Sequence, residues 1–512
     1  MTAPGPAAGA VMVCGTASNC GKSLLVAGLC RLLARRGIKV APFKGQNMSL
    51  NSFVTADGDE IGRAQGAQAL AASVEPEVAM NPVLLKPTSD RRSQVVVMGR
   101  PWRTLDAADF HAAKAELVPV VDAALEDLRG RFDVVVCEGA GSPAEINLLE
   151  CDLVNLGLAR RAGLPAILVG DIDRGGVFAH LYGTVALLPD DLRAALRAFV
   201  INKFRGDPNL LGNATGVLAE RTGLPTLGVV PWLGPVAIDA EDSLALAEAE
   251  RRGDVSSGPG GALDVAVVRF PRISNFTDLD ALALEPGVGV RWVGHANQLA
   301  GADLVILPGT KSTEADLAWL RERGFGRALA DLAAGPASPT ILGLCGGYQM
   351  LGRAIVDQDG VEQTAGTNVA GLGLLDVTTR FAADKQTARR RGRELGSEVA
   401  LSGYQIHHGR VALGPGARAW LSLDGPRGAE EEGVRDEARG VFGTTLHGLF
   451  EEDAFRARFL ASVAARRLRQ WTPSAVSFAA ARQAQHERVA DACAAHLDVD
   501  ALLAIVGEGA RR

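Results

Sequence analysis

Residues 11–23 read VMVCGTASNCGKS: an apolar run, a glycine-bearing loop, then Gly-Lys-Ser. That order constrains the fold more than any other part of the chain. It specifies a buried strand, a turn, and a helix whose first turn carries a lysine and a hydroxyl. Backbone N–H groups at a helix N-terminus point at bound phosphates, and the helix dipole favours their charge. Gly15 and Gly21 enclose five residues rather than the usual four, so this is a variant phosphate loop. In this reading Gly15, Thr16, Asn19 and Gly21 cradle ATP. Lys22 reaches its outer phosphates, and the Ser23 hydroxyl joins Mg²⁺. An incidental Gly-rich turn would share the composition but not the order.

The same alternation of short apolar runs and Ala/Leu-rich amphipathic stretches continues for half the chain. Strands are expected at Ala10–Cys14, Val40–Pro42, Val134–Cys137, Ala166–Val169 and Phe199–Asn202, with helices such as Lys22–Arg36 and Asp106–Arg129 between. Strands separated by helices predict βαβ units and a parallel sheet. The segment Arg251–Ala262, RRGDVSSGPGGA, cannot pack as a regular element and reads as a linker. Beyond it the pattern resumes, with strands at Val265–Arg269, Leu304–Leu307 and Thr340–Leu344, then a turn-rich part. The expected layout is a leader at 1–9, a nucleotide-binding synthetase domain at 10–250, the linker at 251–262, a second domain at 263–462 and a helical tail at 463–512.

Charge and cysteine content exclude several classes. Lys and Arg number 53 against 59 Asp and Glu, a formal charge of −6, and aromatics are 5%. Neither the electrostatic footprint nor the stacking surface of a nucleic-acid binder is present. No run of 18 apolar residues occurs. Seven cysteines cannot all pair internally, which favours a reducing, cytoplasmic setting.

Carboxylates follow two of the expected strands. Glu138, in VVVCEGAGS, stands where a parallel sheet places its ligands and is a candidate for Mg²⁺. Asp171, Asp173 and Arg174 follow another strand and either hold metal or substrate or form a surface salt bridge. The segment NKFRGD at 202–207 has Arg205 where a guanine-reading loop needs Asp, which argues against a GTP switch.

A second chemistry appears at ILGLCGGYQMLG, residues 341–352. A single cysteine among small residues at a strand-to-helix turn suits a strained nucleophile elbow. Cys345 is expected to be exposed there, its thiol acidified by a helix N-terminus. The N–H groups of Gly346 and of Gly309, in LPGT after another strand, are candidate oxyanion donors. His447, in TLHGLFE, is the candidate base, while His407 and His408 shape the site or bind substrate. Glutaminases of this kind often orient the base with a Glu two residues later. Position 449 is Leu and Glu451 comes late, leaving a Cys–His dyad or another orienting group open. Such a thiol can take nitrogen from glutamine, and a nucleotide can activate the carboxylate that receives it.

The blocks PFKGQNMSLNS (42–52), CEGAGSPAEINL (137–148), DIDRGGVFA (171–179), INKFRGD (201–207), PRISNFTDLDAL (271–282), LPGTKST (307–313), GLCGGYQMLG (343–352) and LHGLFE (446–451) closely resemble the cobyric acid synthase family. The resemblance spans about residues 10–455. It implies an α/β chain: an N-terminal P-loop, parallel-sheet domain similar to dethiobiotin synthetase, and a C-terminal domain similar to class I glutamine amidotransferases. It further implies amidation of the b, d, e and g carboxylates of adenosylcobyrinic acid a,c-diamide, a corrinoid of vitamin B12 biosynthesis, with glutamine and ATP·Mg²⁺ for each amide. By position, Cys345 is the family's nucleophile and His447 its catalytic histidine. By analogy with dethiobiotin synthetase, Lys44 touches the phosphates or an acyl phosphate, and Asn47 and Ser49 are candidates for substrate contact. Two alternatives remain: the sibling cobyrinic acid a,c-diamide synthase, and a regulatory P-loop protein with an inert appended domain.

Overall fold

The computed structural model describes residues 9–150, 152–234, 239, 262–335, 338–362, 365–426 and 428–510. Most of the leader and all but the last residue of the expected linker lie outside these residues. The N-terminal half is built on six parallel strands in the spatial order Thr226–Pro231, Leu196–Phe204, Ala166–Asp171, Gly9–Gly15, Val134–Glu138, Val40–Phe43. Every residue of the four central and flanking runs Val40–Phe43, Val134–Glu138, Ala166–Asp171 and 10–15 is buried. Burial on both faces is why these strands read as unbroken apolar stretches. Helix Lys22–Arg35 starts where the Gly-Lys-Ser reading places it, and Ala107–Arg131 matches the second expected helix within two residues at each end.

The C-terminal half carries a second sheet. Five parallel strands run in the order Val288–Val293, Leu263–Val268, Leu304–Leu307, Thr340–Leu344, Val441–Thr444. From there the sheet continues antiparallel through Gly428–Asp436 and Ala419–Gly425 to the long pair Val377–Glu394 and Ala400–Leu413. The turn-rich character expected for this part is therefore wrong in detail. Residues 377–394, VTTRFAADKQTARRRGRE, are largely polar and show no apolar alternation, because much of the strand is only half-covered.

The helical tail exists, but the boundary expected at 463 falls inside helix Asp453–Arg466. The last two helices, Phe478–His496 and Val499–Glu508, do not stay with the half that precedes them. Val489, Cys493, Leu502 and Val506 share one buried cluster with Val11, Val13, Leu25 and Leu29. The tail thus covers one face of the N-terminal sheet, while Phe478 at its start lies in the core of the other half with Phe450, Phe455 and Phe459. Gly28 makes the contact close: a Cβ there would stand 2.6 Å from Val489 Cγ1 and 2.8 Å from Cys493 Sγ. Gly28→Val is expected to cost about 1–3 kcal/mol by overpacking. It should lower the melting temperature in calorimetry and expose the last helices to limited proteolysis. Unchanged melting would mean the tail does not hold this position.

Candidate active sites

In a parallel sheet, groups that meet a ligand gather at the strands' carboxyl ends. Four adjacent strands of the C-terminal sheet each deliver a part. Strand Leu304–Leu307 leads into Gly309, Thr340–Leu344 into Cys345, Val441–Thr444 into His447, and Leu263–Val268 into the segment holding Asn275 and Asp278. Cys345 has φ 48° and ψ −107°, the strained turn expected of an elbow. Its neighbours must be small: a Cβ on Gly347 would lie 2.0 Å from the Leu307 carbonyl oxygen. The two loops proposed for the oxyanion donors are in contact, since a Cβ on Gly346 would meet Thr310 Cγ2 at 2.7 Å. One on Gly309 would meet His447 Cε1 at 3.0 Å.

The thiol itself is not exposed as expected; Cys345 retains 7% of its surface, under the loops that converge on it. The helix that follows, Gly346–Leu351, has 6 residues, too few for a long dipole at the sulfur; the His447 ring and the half-buried Lys311 ammonium are the cationic or protonatable groups near it. His447 touches Cys345 and donates from Nδ1 to Asp278 Oδ2 at 2.7 Å, whose other oxygen accepts the Gly448 N–H at 2.8 Å. The orienting group left open by the sequence is therefore Asp278, and the dyad gives way to a Cys345–His447–Asp278 arrangement. Burial alone would lower the His447 ring. The carboxylate of Asp278 and the charge of Cys345 outweigh it and push the ring up to about 10. The Tyr404 ring stacks on His447 with centroids 5.3 Å apart. His407 donates from Nδ1 to the Gly409 carbonyl oxygen at 2.7 Å, and burial pushes it down to about 3, so it stays uncharged.

Glu451 has a different task. It accepts from Arg63 at 2.8 Å and Arg482 at 3.1 Å, and both arginines also bind Asp239, joining the halves of the molecule. Asn275 and Asp278 were missed as individual site residues, although they sit in the block PRISNFTDLDAL. Nothing local marks an Asn or Asp as facing a histidine some 170 positions away.

At the N-terminal site the loop 15–21 leads into helix Lys22–Arg35 with Gly21 at φ 94°. Asn202 Nδ2 lies where a Gly21 Cβ would be, at 2.2 Å, and donates to the Cys20 carbonyl oxygen at 2.9 Å. Asn19 is also left-handed, at φ 59°. Lys22 Nζ donates to the carbonyl oxygens of Ala17 at 3.0 Å and Gly141 at 3.1 Å, which holds it over the loop. Glu138 is buried and fully served by donors: Ser23 Oγ and Lys44 Nζ on one oxygen, both at 2.8 Å, and Gln68 Nε2 on the other at 2.5 Å. A hydroxyl tied to a carboxylate beside a phosphate loop is a donor set suited to Mg²⁺, which keeps few protein ligands and relies on phosphate and water. Asp171 accepts from Lys203 at 2.9 Å and lies 3.6 Å from Arg174; Asp173 accepts from Arg205 at 2.7 Å. Lys203 also binds the Asn19 carbonyl oxygen, so the cluster does form ion pairs, and they abut the loop. Asn47 and Ser49 are buried. Asn47 donates to Gln65 at 2.8 Å, and Ser49 Oγ accepts from the Asn51 N–H at 3.0 Å. Cys14 and Cys30 are buried and their thiols pushed far up; burial pushes Cys137 up to about 12.

Fold and sites together define a glutamine amidotransferase joined to a P-loop nucleotide-binding domain. Residues 11–244 match the family model described as the CobQ/CobB/MinD/ParA nucleotide binding domain, and residues 264–455 the CobB/CobQ-like glutamine amidotransferase domain. A cobyric acid synthase of Nocardia farcinica is 53% identical over 523 residues, covering 98% of this chain and 97% of that protein. One of Mycolicibacterium vanbaalenii is 52% identical over 497 residues, covering 96% of each. One of Frankia casuarinae is 51% identical over 522 residues, covering 98% and 97%. The chain belongs to the cobyric acid synthase family, glutamine-dependent ligases of cobalamin biosynthesis.

Asp278→Asn is expected to cut glutaminase turnover by about 10²–10⁴, as for loss of the group that orients a catalytic histidine. The His447 ring also loses an anion, so its protonated form should give way at lower pH. Glutamate release followed from pH 6 to 11 checks both effects; a profile like that of the unaltered enzyme would remove Asp278 from the site.

Proposed function

We propose that Cys345 attacks the side-chain amide of glutamine, releasing ammonia and leaving a thioester that water then cleaves. The contact of Cys345 with His447, itself anchored on Asp278, is the observation that carries this reading. His447 takes the thiol proton and returns it to the departing nitrogen. Gly309 and Gly346 supply N–H groups to the oxyanion. Gly15, Thr16, Asn19, Gly21 and Lys22 hold the phosphates of ATP, with Ser23 and Glu138 at Mg²⁺, and Lys44 beside them. Bound ATP·Mg²⁺ supplies the phosphoryl group that activates a carboxylate for attack by ammonia. Asp171, Asp173, Arg174, Asn47 and Ser49 serve the corrinoid side or the walls around it. The substrate is adenosylcobyrinic acid a,c-diamide, amidated at b, d, e and g. The relatives' names and the near-complete coverage favour this over the a,c-diamide reaction. No helix among the described residues is long and apolar enough to cross a membrane. With the cysteines among the described residues unpaired, the chain is read as a cytoplasmic enzyme.

Incubation of the diamide corrinoid with glutamine and ATP·Mg²⁺ should give four successive small mass decrements, as each OH is replaced by NH₂. Stopping at the substrate mass would sink the substrate assignment. Cys345→Ala should abolish amidation from glutamine but keep it with ammonia. Lys22→Ala should abolish it with either nitrogen source. Retained glutamine use in the first variant, or normal synthesis in the second, would discard the corresponding site.

A further inference from the structure

Asn275 occupies a position that neither proposed reaction explains. It is buried and left-handed, at φ 50° and ψ 39°, and its side chain touches both halves of the molecule. Oδ1 accepts the backbone N–H of Ser52 at 2.8 Å. Nδ2 lies 3.2 Å from His447 Nε2. Asn51 returns the contact, its Oδ1 accepting the Phe276 N–H at 3.1 Å. Ser52 is the end of a short segment that begins at Lys44, bonded to Glu138, which also accepts from Ser23 just after the phosphate loop.

The orientation of the Asn275 amide follows from this pairing. A flipped amide would set its NH₂ against the Ser52 N–H, donor against donor, in a buried place where an unmet donor costs about 1–3 kcal/mol. Ser52 therefore fixes the NH₂ end toward His447. The other ring nitrogen, Nδ1, is committed to Asp278. Nε2 is thus the nitrogen that must receive the Cys345 proton, and while the ring is neutral an N–H of Asn275 points at its lone pair. Once Nε2 is protonated, two donors face each other across that gap. The other groups around the pair do not oppose proton transfer in this way: Asp278 accepts from Nδ1, Tyr404 presents its ring face, His407 is uncharged, and the half-buried Lys311 near Cys345 favours the thiolate when protonated.

We propose that Asn275 is a positioning residue that restrains transfer of the Cys345 proton to His447, and that the synthetase half sets this restraint through the Ser52 N–H. The restraint holds the glutaminase back while the segment from Lys44 to Ser52 keeps its present place, and it limits waste of glutamine. The inference rests on Cys345 and His447 acting as nucleophile and base.

The test is the rate of Cys345 alkylation by iodoacetamide on the full chain, read at the Cys345 peptide by mass spectrometry from pH 5 to 10. Asn275→Asp keeps size, tolerates the left-handed backbone and still accepts from Ser52, but turns an acceptor toward Nε2. Alkylation at pH 7 should be about tenfold faster, its pH midpoint shifted down by about one unit. Asn275→Gly, which also suits this backbone, should shift the same way by less. Both should release more glutamate per amide formed. Asn51→Ala removes the matching interface bond without facing His447 and should leave the midpoint in place. An unmoved midpoint in both Asn275 variants, or an equal shift in Asn51→Ala, overturns the proposal. If alkylating Cys345 in the unaltered enzyme does not stop glutamate release, the nucleophile assignment fails first, and the two failures are told apart.

Discussion

A parallel sheet has two apolar faces, and neither can be left in water. The N-terminal sheet buries one face under crossover helices such as Ala107–Arg131, and on the other its helix Lys22–Arg35 covers only part of the surface. The last two helices of the chain complete the cover, laying Val489, Cys493, Leu502 and Val506 on the core around Val11 and Leu29. At about 25 cal/mol per Å² of apolar surface, a contact of this kind outweighs any single polar bond in the molecule. To make it, the chain must return across the C-terminal half to the first domain. That return holds the two halves together, and the polar contacts at their junction follow from it.

The junction is more polar than a protein core. Arg63 and Arg482 share Asp239 and Glu451. Glu60 is buried beside Lys86, Lys385 and Ser52, and although burial pushes its carboxyl up, the two ammonium groups draw it below the usual carboxylate range. Buried ion pairs add little net stability, because each charge gives up its water, but breaking one is costly. Their effect is to make one relative placement of the halves far better than its neighbours. The Asn51 and Asn275 amides, each bonded to backbone of the opposite half, set that placement within reach of His447.

Much of this was legible in the sequence. The phosphate loop, the elbow and His447 lie in short segments whose residue types and order carry their own meaning. The central strands, buried on both faces, read as apolar runs. The strand Val377–Glu394 did not, since a half-covered, arginine-rich strand has no alternation to detect. The exposure of Cys345 was also misjudged. An elbow presents its nucleophile outward from the sheet, but whether neighbouring loops cover it depends on how far they reach.

By itself the sequence determined the local parts: which loop has the residue order of a phosphate loop, which cysteine sits at a strained turn, and which runs become buried strands. Each depends on contacts within a few residues, so composition and spacing suffice. Tertiary structure alone decided that Asp278 bonds His447, that Glu451 binds arginines instead, that Asn275 faces the His447 ring, and that most of the last two helices pack on the first sheet. Those pairings join residues far apart along the chain, and a side chain carries no mark of its distant partner until packing of the two sheets brings them to hydrogen-bond distance.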